Sequence, residues 1–167
     1  MIGHPADSPL RARITAVVST MGRPDRIFFC GKLGNALYAK VANNYIAMVN
    51  LIAVAEAMNI AIRSGIDKCI MYDIIHNSTG QSFMGDVMCP VPGVVKSAPS
   101  SNGYALGFRT EMMPKDLGLA VDLAKEVGAP LALAQPAIDL YRAAGQDPRC
   151  HVISSDSVAD SVGKRWI

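Results

Sequence analysis

The chain has 167 residues, half of them apolar and 18% charged, with a formal net charge of +2. That balance excludes a disordered chain, and with no stripe of Lys or Arg interleaved with aromatics it excludes a nucleic-acid surface. The length suits one full-sized domain with its own core and is short for two.

In chain order, residues 1–3 read as a strand tail and residues 9–21 as a short helix N-capped by Asp7 or Ser8. Gly22 stops that helix, and residues 25–30 read as a strand. Two strands do not make a sheet, so this opening segment lacks neighbours. Gly31 and Gly34 then let the chain turn tightly into residues 35–64, which contain neither Gly nor Pro. Ala, Ile, Leu, Met and Val dominate there, and the segment reads as one helix of about 45 Å. Its longest uncharged run, residues 41–55, includes Asn43, Asn44 and Asn50. A membrane span needs roughly 20 mainly apolar residues, so a protein core is expected to hold this helix and no membrane.

Beyond Gly65, Asp67 caps a second helix to about Asn77, and Asn77-Ser78-Thr79 ends it before Gly80. Residues 81–88 read as a short third helix. Residues 89–107 form a loop rich in Pro, Ser and Gly, with Pro90, Pro92 and Pro99; loops of that length are usually functional or disordered. Pro114 suits the first turn of a helix over 113–127, which Gly128 stops. A further helix covers 130–144, with Pro136 as a kink. From Asp147 the chain is Ser- and Asp-rich and weakly patterned. Scarce aromatics and abundant Ala and Met mark a mainly α fold.

Cys30, Cys69, Cys89 and Cys150 show no CxxC pairing, so free thiols in a reducing compartment are expected. His4 and His76 have no partner at ligand spacing and Cys150 and His151 are adjacent, so no metal site is expected. Residues 14–18 are too short for the apolar core of a signal peptide, and Asp7 argues against a transit peptide despite Arg11 and Arg13. Asp122, Glu126 and Asp139 read as solvated helix positions.

The chemistry concentrates on the long helix. Lys40, Asn43 and Asn44 lie three and four residues apart, so an ammonium and two amides share one face. By itself Lys40 reads as an ordinary solvated helix lysine, but together with Asn44 and the later Lys115-Asp116 it is expected to be buried in a partly dry site. Buried among apolar neighbours it would need a partner or a use, and exposure of the amine would remove that ground. A lysine in a dry site near a second cation can accept a proton, and an adjacent amide can orient a carboxylate. That combination suits oxidation of an alcohol on an acid, with Lys40 as general base. Gly31-x-x-Gly34 after an apolar strand also resembles part of a dinucleotide loop, but it has two glycines rather than three and reads better as a turn.

Gly31-x-x-Gly34, Lys40-x-x-Asn43-Asn44 and Ala55-Glu56-Ala57-Met58-Asn59 together resemble the β-hydroxyacid dehydrogenase family. The resemblance continues through Asn77-Ser78-Thr79-Gly80, Pro90-Val91-Pro92-Gly93-Val94, Ala98-Pro99-Ser100 and Gly107-Phe108, and ends in Met113-x-Lys115-Asp116-Leu117 and Ala120. The Pro-Val-Pro-Gly loop favours the 3-hydroxyisobutyrate branch over tartronate semialdehyde reductases. Phe83 stands where Trp is usual, and Met88 where Tyr is frequent.

This resemblance implies an all-helical domain built on one long helix, 6-phosphogluconate dehydrogenase C-terminal-like, preceded by a small α/β remnant of a Rossmann domain. The implied division is 1–30 for the remnant, 31–146 for the helical catalytic, substrate and dimerisation domain, and 147–167 for a divergent tail. Lys40 would be the catalytic lysine, Asn44 a substrate ligand and Asn43 its support. Lys115, Phe108 and Asp116 would lie at the cofactor, NAD. The substrate would be a small hydroxy acid, the assembly a homo-oligomer joined through the helical domain, and the compartment the mitochondrial matrix. The family's opening G-x-G-x-x-G and Ser-Gly-Gly loops are not among these residues. The competing reading is therefore a catalytically silent helical oligomerisation fragment.

Overall fold

The computed structural model describes residues 1–104 and 108–147. Residues 105–107 and 148–167, which include Cys150, His151 and nearly all of the expected tail, lie outside the described residues. The chain divides into two compact units, Met1–Asn44 and Tyr45–Ile167, and the division falls inside the long helix.

In the first unit Ile2 and Phe29 form a parallel bridge. Ile2 N donates to Phe28 O at 2.8 Å, and Cys30 N donates to Ile2 O at 2.8 Å. Parallel neighbours need a crossover between them, and α1 (Arg11–Val18) lies in that connection. The strands expected over 1–3 and 25–30 reduce to this bridge. Pro24–Arg26 is a single 3-10 turn instead, opened by Pro at its start and pinned by an Arg23–Asp25 ion pair of 2.7 Å.

The cap of α1 also differs from expectation: Leu10 holds the N-cap position, not Asp7 or Ser8. Ser8 Oγ serves the turn just before it, accepting from Leu10 N at 3.2 Å and meeting His4 Nε2 at 2.6 Å. Gly31 and Gly34 turn as expected, with φ of +87° and +94° that an L side chain rarely adopts. Asn35 Nδ2 spans this turn and donates to Cys30 O at 2.8 Å.

The long helix α2 runs Asn35–Arg63, about 44 Å from end to end. By length and composition it could cross a membrane, and 33% of its most apolar window is buried within the chain itself. Its fully buried side chains begin at Met48 and continue through Leu51, Val54, Ala55, Met58 and Ala61.

The second unit packs around two apolar clusters. One joins Met48 of α2 to Met113 and Leu117 of α5 (Met113–Glu126) and to Ala137, Ile138, Tyr141 and Ala144 of α6 (Ala134–Gln146). Tyr141 is fully buried, and its hydroxyl donates to Met48 O at 2.8 Å. The other cluster sets Val54 and Met58 against Ile75 of α3 (Lys68–His76) and against Cys89.

Asp67 caps α3 as expected: its carboxylate accepts from Cys69 N at 2.8 Å and Ile70 N at 3.2 Å. The helix expected over 81–88 is one turn only, α4 (Phe83–Asp86), capped by Ser82 accepting from Gly85 N. Asp86 closes back onto α3, where its carboxylate meets His76 Nδ1 at 2.8 Å and accepts from Gln81 at 3.0 Å. The His76 hydrogen bond holds the Asp86 carboxyl below the usual carboxylate range, against the opposing effect of burial. Burial pushes the Tyr72 phenol upward, helped by the nearby Asp86 charge.

Pro136 does not kink α6. The helix starts at Ala134, four residues later than expected, which leaves Pro136 in the first turn where its missing N–H is not needed. Cys30 and Cys69 are free thiols.

Candidate active site

Lys40, Asn43 and Asn44 follow directly from the Gly31–Gly34 turn, on the opening turns of α2. Helical spacing brings the three to one face, as expected. The burial expected of Lys40 is corrected: Lys40 and Asn43 are exposed, and Asn44 is half-buried. The reason is local. The fully buried side chains of α2 start at Met48, so the first turns are apolar in composition without being enclosed. Lys40 has no ion pair among the described residues. The argument from a buried amine therefore fails, and what the face offers is an accessible amine with two amides beside it.

In the second unit Lys115 and Asp116 open α5, their side chains 3.4 Å apart. Lys115 is largely exposed, whereas Asp116 keeps only 18% of its side-chain surface. Met113 and Leu117, both buried, fix that turn of α5 from beneath. Phe108 presents its ring with 46% exposure, close ahead of the buried Thr110. This unit therefore offers an exposed aromatic ring at Phe108 and an exposed cation at Lys115, the latter beside the Asp116 carboxylate.

The loop leading to Phe108 is tied to itself. Ser100 Oγ donates to Cys89 O at 2.6 Å, Ser101 Oγ donates to Val95 O at 2.6 Å, and Ser101 Oγ also accepts from Gly93 N at 3.1 Å. Lys68 Nζ reaches across to donate to Pro92 O at 2.7 Å. The segment read as a bare loop is thus a stitched one, with a 3-10 turn at Pro99–Asn102. Sequence reading missed Asn35 as the bracket of the glycine turn and Lys68 as the clamp of the proline loop. Asn one residue after a turn glycine was a visible signal for the first; nothing local signals the second.

Among the described residues no group of His, Cys, Asp or Glu could hold a metal ion.

A family model described as NAD-binding of NADP-dependent 3-hydroxyisobutyrate dehydrogenase matches residues 34–151. The mitochondrial 3-hydroxyisobutyrate dehydrogenase of Rattus norvegicus is 42% identical over 116 residues, which are 70% of this chain and 35% of that protein. The probable mitochondrial enzyme of that name in Dictyostelium discoideum is 42% identical over 69% of this chain and 36% of its own length. Among solved structures, Mycobacterium tuberculosis 3-hydroxyisobutyrate dehydrogenase with L-serine matches at a TM-score of 0.82 and 34% identity, covering 96% of this chain and 53% of that one. The chain spans about a third of the length of the curated relatives it matches. With 34–151 inside the match, the chain belongs to the NAD-binding family of NADP-dependent 3-hydroxyisobutyrate dehydrogenase.

Proposed function

We propose that this chain is the helical part of an NAD-dependent enzyme oxidising 3-hydroxyisobutyrate, or a similar small hydroxy acid, to its semialdehyde in valine catabolism. The observation that carries the reading is the family match over 34–151, which contains Lys40, Asn43, Asn44, Phe108, Lys115 and Asp116 together. Bound NAD would supply the hydride acceptor. Lys40 Nζ takes the hydroxyl proton of the substrate. Asn44 donates its amide N–H to the substrate carboxylate, and Asn43 supports it from one residue away. Phe108 and Lys115 hold the dinucleotide, and Asp116 keeps the Lys115 ammonium from swinging freely by pairing with it.

In this reading residues 1–30 are the end of a Rossmann domain, 31–146 the helical domain of the 6-phosphogluconate dehydrogenase C-terminal type, and 147–167 a divergent tail. A parallel bridge joined through a helix supports the first of these, since parallel strands belong in sheets covered by helices. The relatives' mitochondrial names support the matrix as compartment.

A chimera tests the activity: these residues replace the matching part of the Mycobacterium tuberculosis relative, and NAD reduction by 3-hydroxyisobutyrate is followed. Asn44→Ala in that chimera raises KM for the acid about tenfold, the value of one charge-assisted hydrogen bond, with KM for NAD unchanged. A silent chimera, or equal KM for the acid in the variant, ends the reading.

The helical domain also self-associates in this reading. Ile46, Ala53 and Ile60 recur every seventh residue of α2 and are exposed, Ile60 at 70% and Ile46 at 57%. A second copy is the occupant that such a heptad stripe fits. Sedimentation of the 167-residue chain is expected to give a dimer that Ile60→Glu dissociates; a monomer at roughly 100 µM, well above a micromolar Kd, removes the claim.

A further inference from the structure

The turn between Gly31 and Gly34 buries no apolar side chain of its own: Lys32 and Leu33 are exposed, Leu33 at 92%. Polar contacts hold it instead, and Asn35 supplies two of them. Its backbone N–H donates to Lys32 O at 3.1 Å, and its side-chain amide donates to Cys30 O at 2.8 Å. Gly3 packs against the same turn, where a Cβ would stand 3.2 Å from Lys32 O and 3.3 Å from Gly34 N. Cys30 N in turn donates to Ile2 O at 2.8 Å. One side-chain amide thus ties the first residue of α2 to the end of the parallel bridge, within the first unit.

Leu37 N and Tyr38 N both donate to Gly34 O, at 2.8 Å and 3.3 Å, so the helix is continuous with the turn. Lys40 follows on the same unbroken helix, and helical register bonds its backbone N–H to the carbonyl of Ala36, the residue next to Asn35. A helix bends little over so short a span, so the anchor of its first residue decides where Lys40 lies relative to the bridge. We propose that Asn35 is a positioning residue for the proton transfer: its bond to Cys30 O sets the angle at which α2 leaves the bridge, and with it the place of the Lys40 amine. This rests on the reading of Lys40 as the general base. The benefit is geometric, since a group misplaced by about 1 Å can lose roughly a hundredfold in rate.

Two variants remove the bond. Asn35→Ala deletes the amide, and Asn35→Asp keeps its shape but, as a carboxylate, has nothing to donate to a carbonyl. NMR relaxation of the full 167-residue chain is expected to give Lys32 and Leu33 backbone order parameters of about 0.85, falling below about 0.6 in both variants. Unchanged order overturns the bracket. In the chimera each variant should lower kcat about 10- to 100-fold while KM for NAD holds within about twofold. The deciding measurement repeats each variant on a Lys40→Ala background. A residue that acts through the amine has nothing left to position there, so kcat should change by less than about twofold. Unchanged kcat in the single variants overturns the proposal. So does an equal fall with and without Lys40, which would make Asn35 merely structural. The Lys40→Ala chimera alone tests the ground beneath: if it turns over like the unsubstituted chimera, the general-base reading fails and the proposal falls with it.

Discussion

Lys40→Ala in the chimera lowers kcat by about three orders of magnitude, within the range that general-base groups contribute and equal to about 4 kcal/mol of transition-state stabilisation. The size follows from the role. Without the amine, the hydroxyl proton has only water to go to while hydride leaves the carbon. Lys40→Arg restores the charge and not the activity, because a guanidinium does not give up its proton under these conditions. The substitution should leave folding alone. Lys40 is exposed and makes no ion pair among the described residues, and exposed positions of this kind change stability by no more than about 0.5 kcal/mol. Parallel measurement of the thermal midpoint and of kcat therefore distinguishes lost chemistry from lost structure. Added methylamine should return part of the rate in Lys40→Ala, since it fills the space of the missing side chain with a base. Turnover near that of the unsubstituted chimera would strip Lys40 of its role.

How far the sequence carried the fold is clearest at particular residues. The long helix was legible because nothing between Asn35 and Arg63 breaks it, and the Asp67 cap because a carboxylate before a helix has one good use. Gly31 and Gly34 were legible for the same local reason. What the sequence did not carry was burial. Apolar composition around Lys40 suggested enclosure, but composition does not say which turns of a helix meet a partner, and those of α2 begin at Met48. Pro136 was misread because a proline kinks a helix only inside it, and α6 starts at Ala134, so Pro136 falls in its first turn. The candidate site was legible as motifs; the exposure of its lysine and the stitching of its proline loop were not, since both depend on contacts distant in sequence. Lys68 and Pro92 are 24 residues apart, and Tyr141 and Met48 are 93 apart.

That last pair yields the largest expected loss of stability. Tyr141 is fully buried, in one cluster with Met48, Met113, Leu117, Ala137 and Ile138. Tyr141→Ala removes the ring from the only cluster that joins α2 to both α5 and α6 among the described residues. Truncating a buried aromatic to alanine costs about 3–5 kcal/mol through lost transfer energy and the cavity left behind. The thermal midpoint should fall by roughly 10 °C for a domain of this size. Tyr141→Phe separates ring from hydroxyl. The Met48 carbonyl belongs to the interior of α2 and keeps its helical partner, so it is not orphaned when the phenol is lost. The cost of Tyr141→Phe should therefore stay near 0.5 kcal/mol, the low end for one hydrogen bond. Calorimetry of the two variants decides between ring and hydroxyl. A loss in Tyr141→Phe as large as in Tyr141→Ala would mean that the hydroxyl, not the packed ring, holds α6 to the long helix.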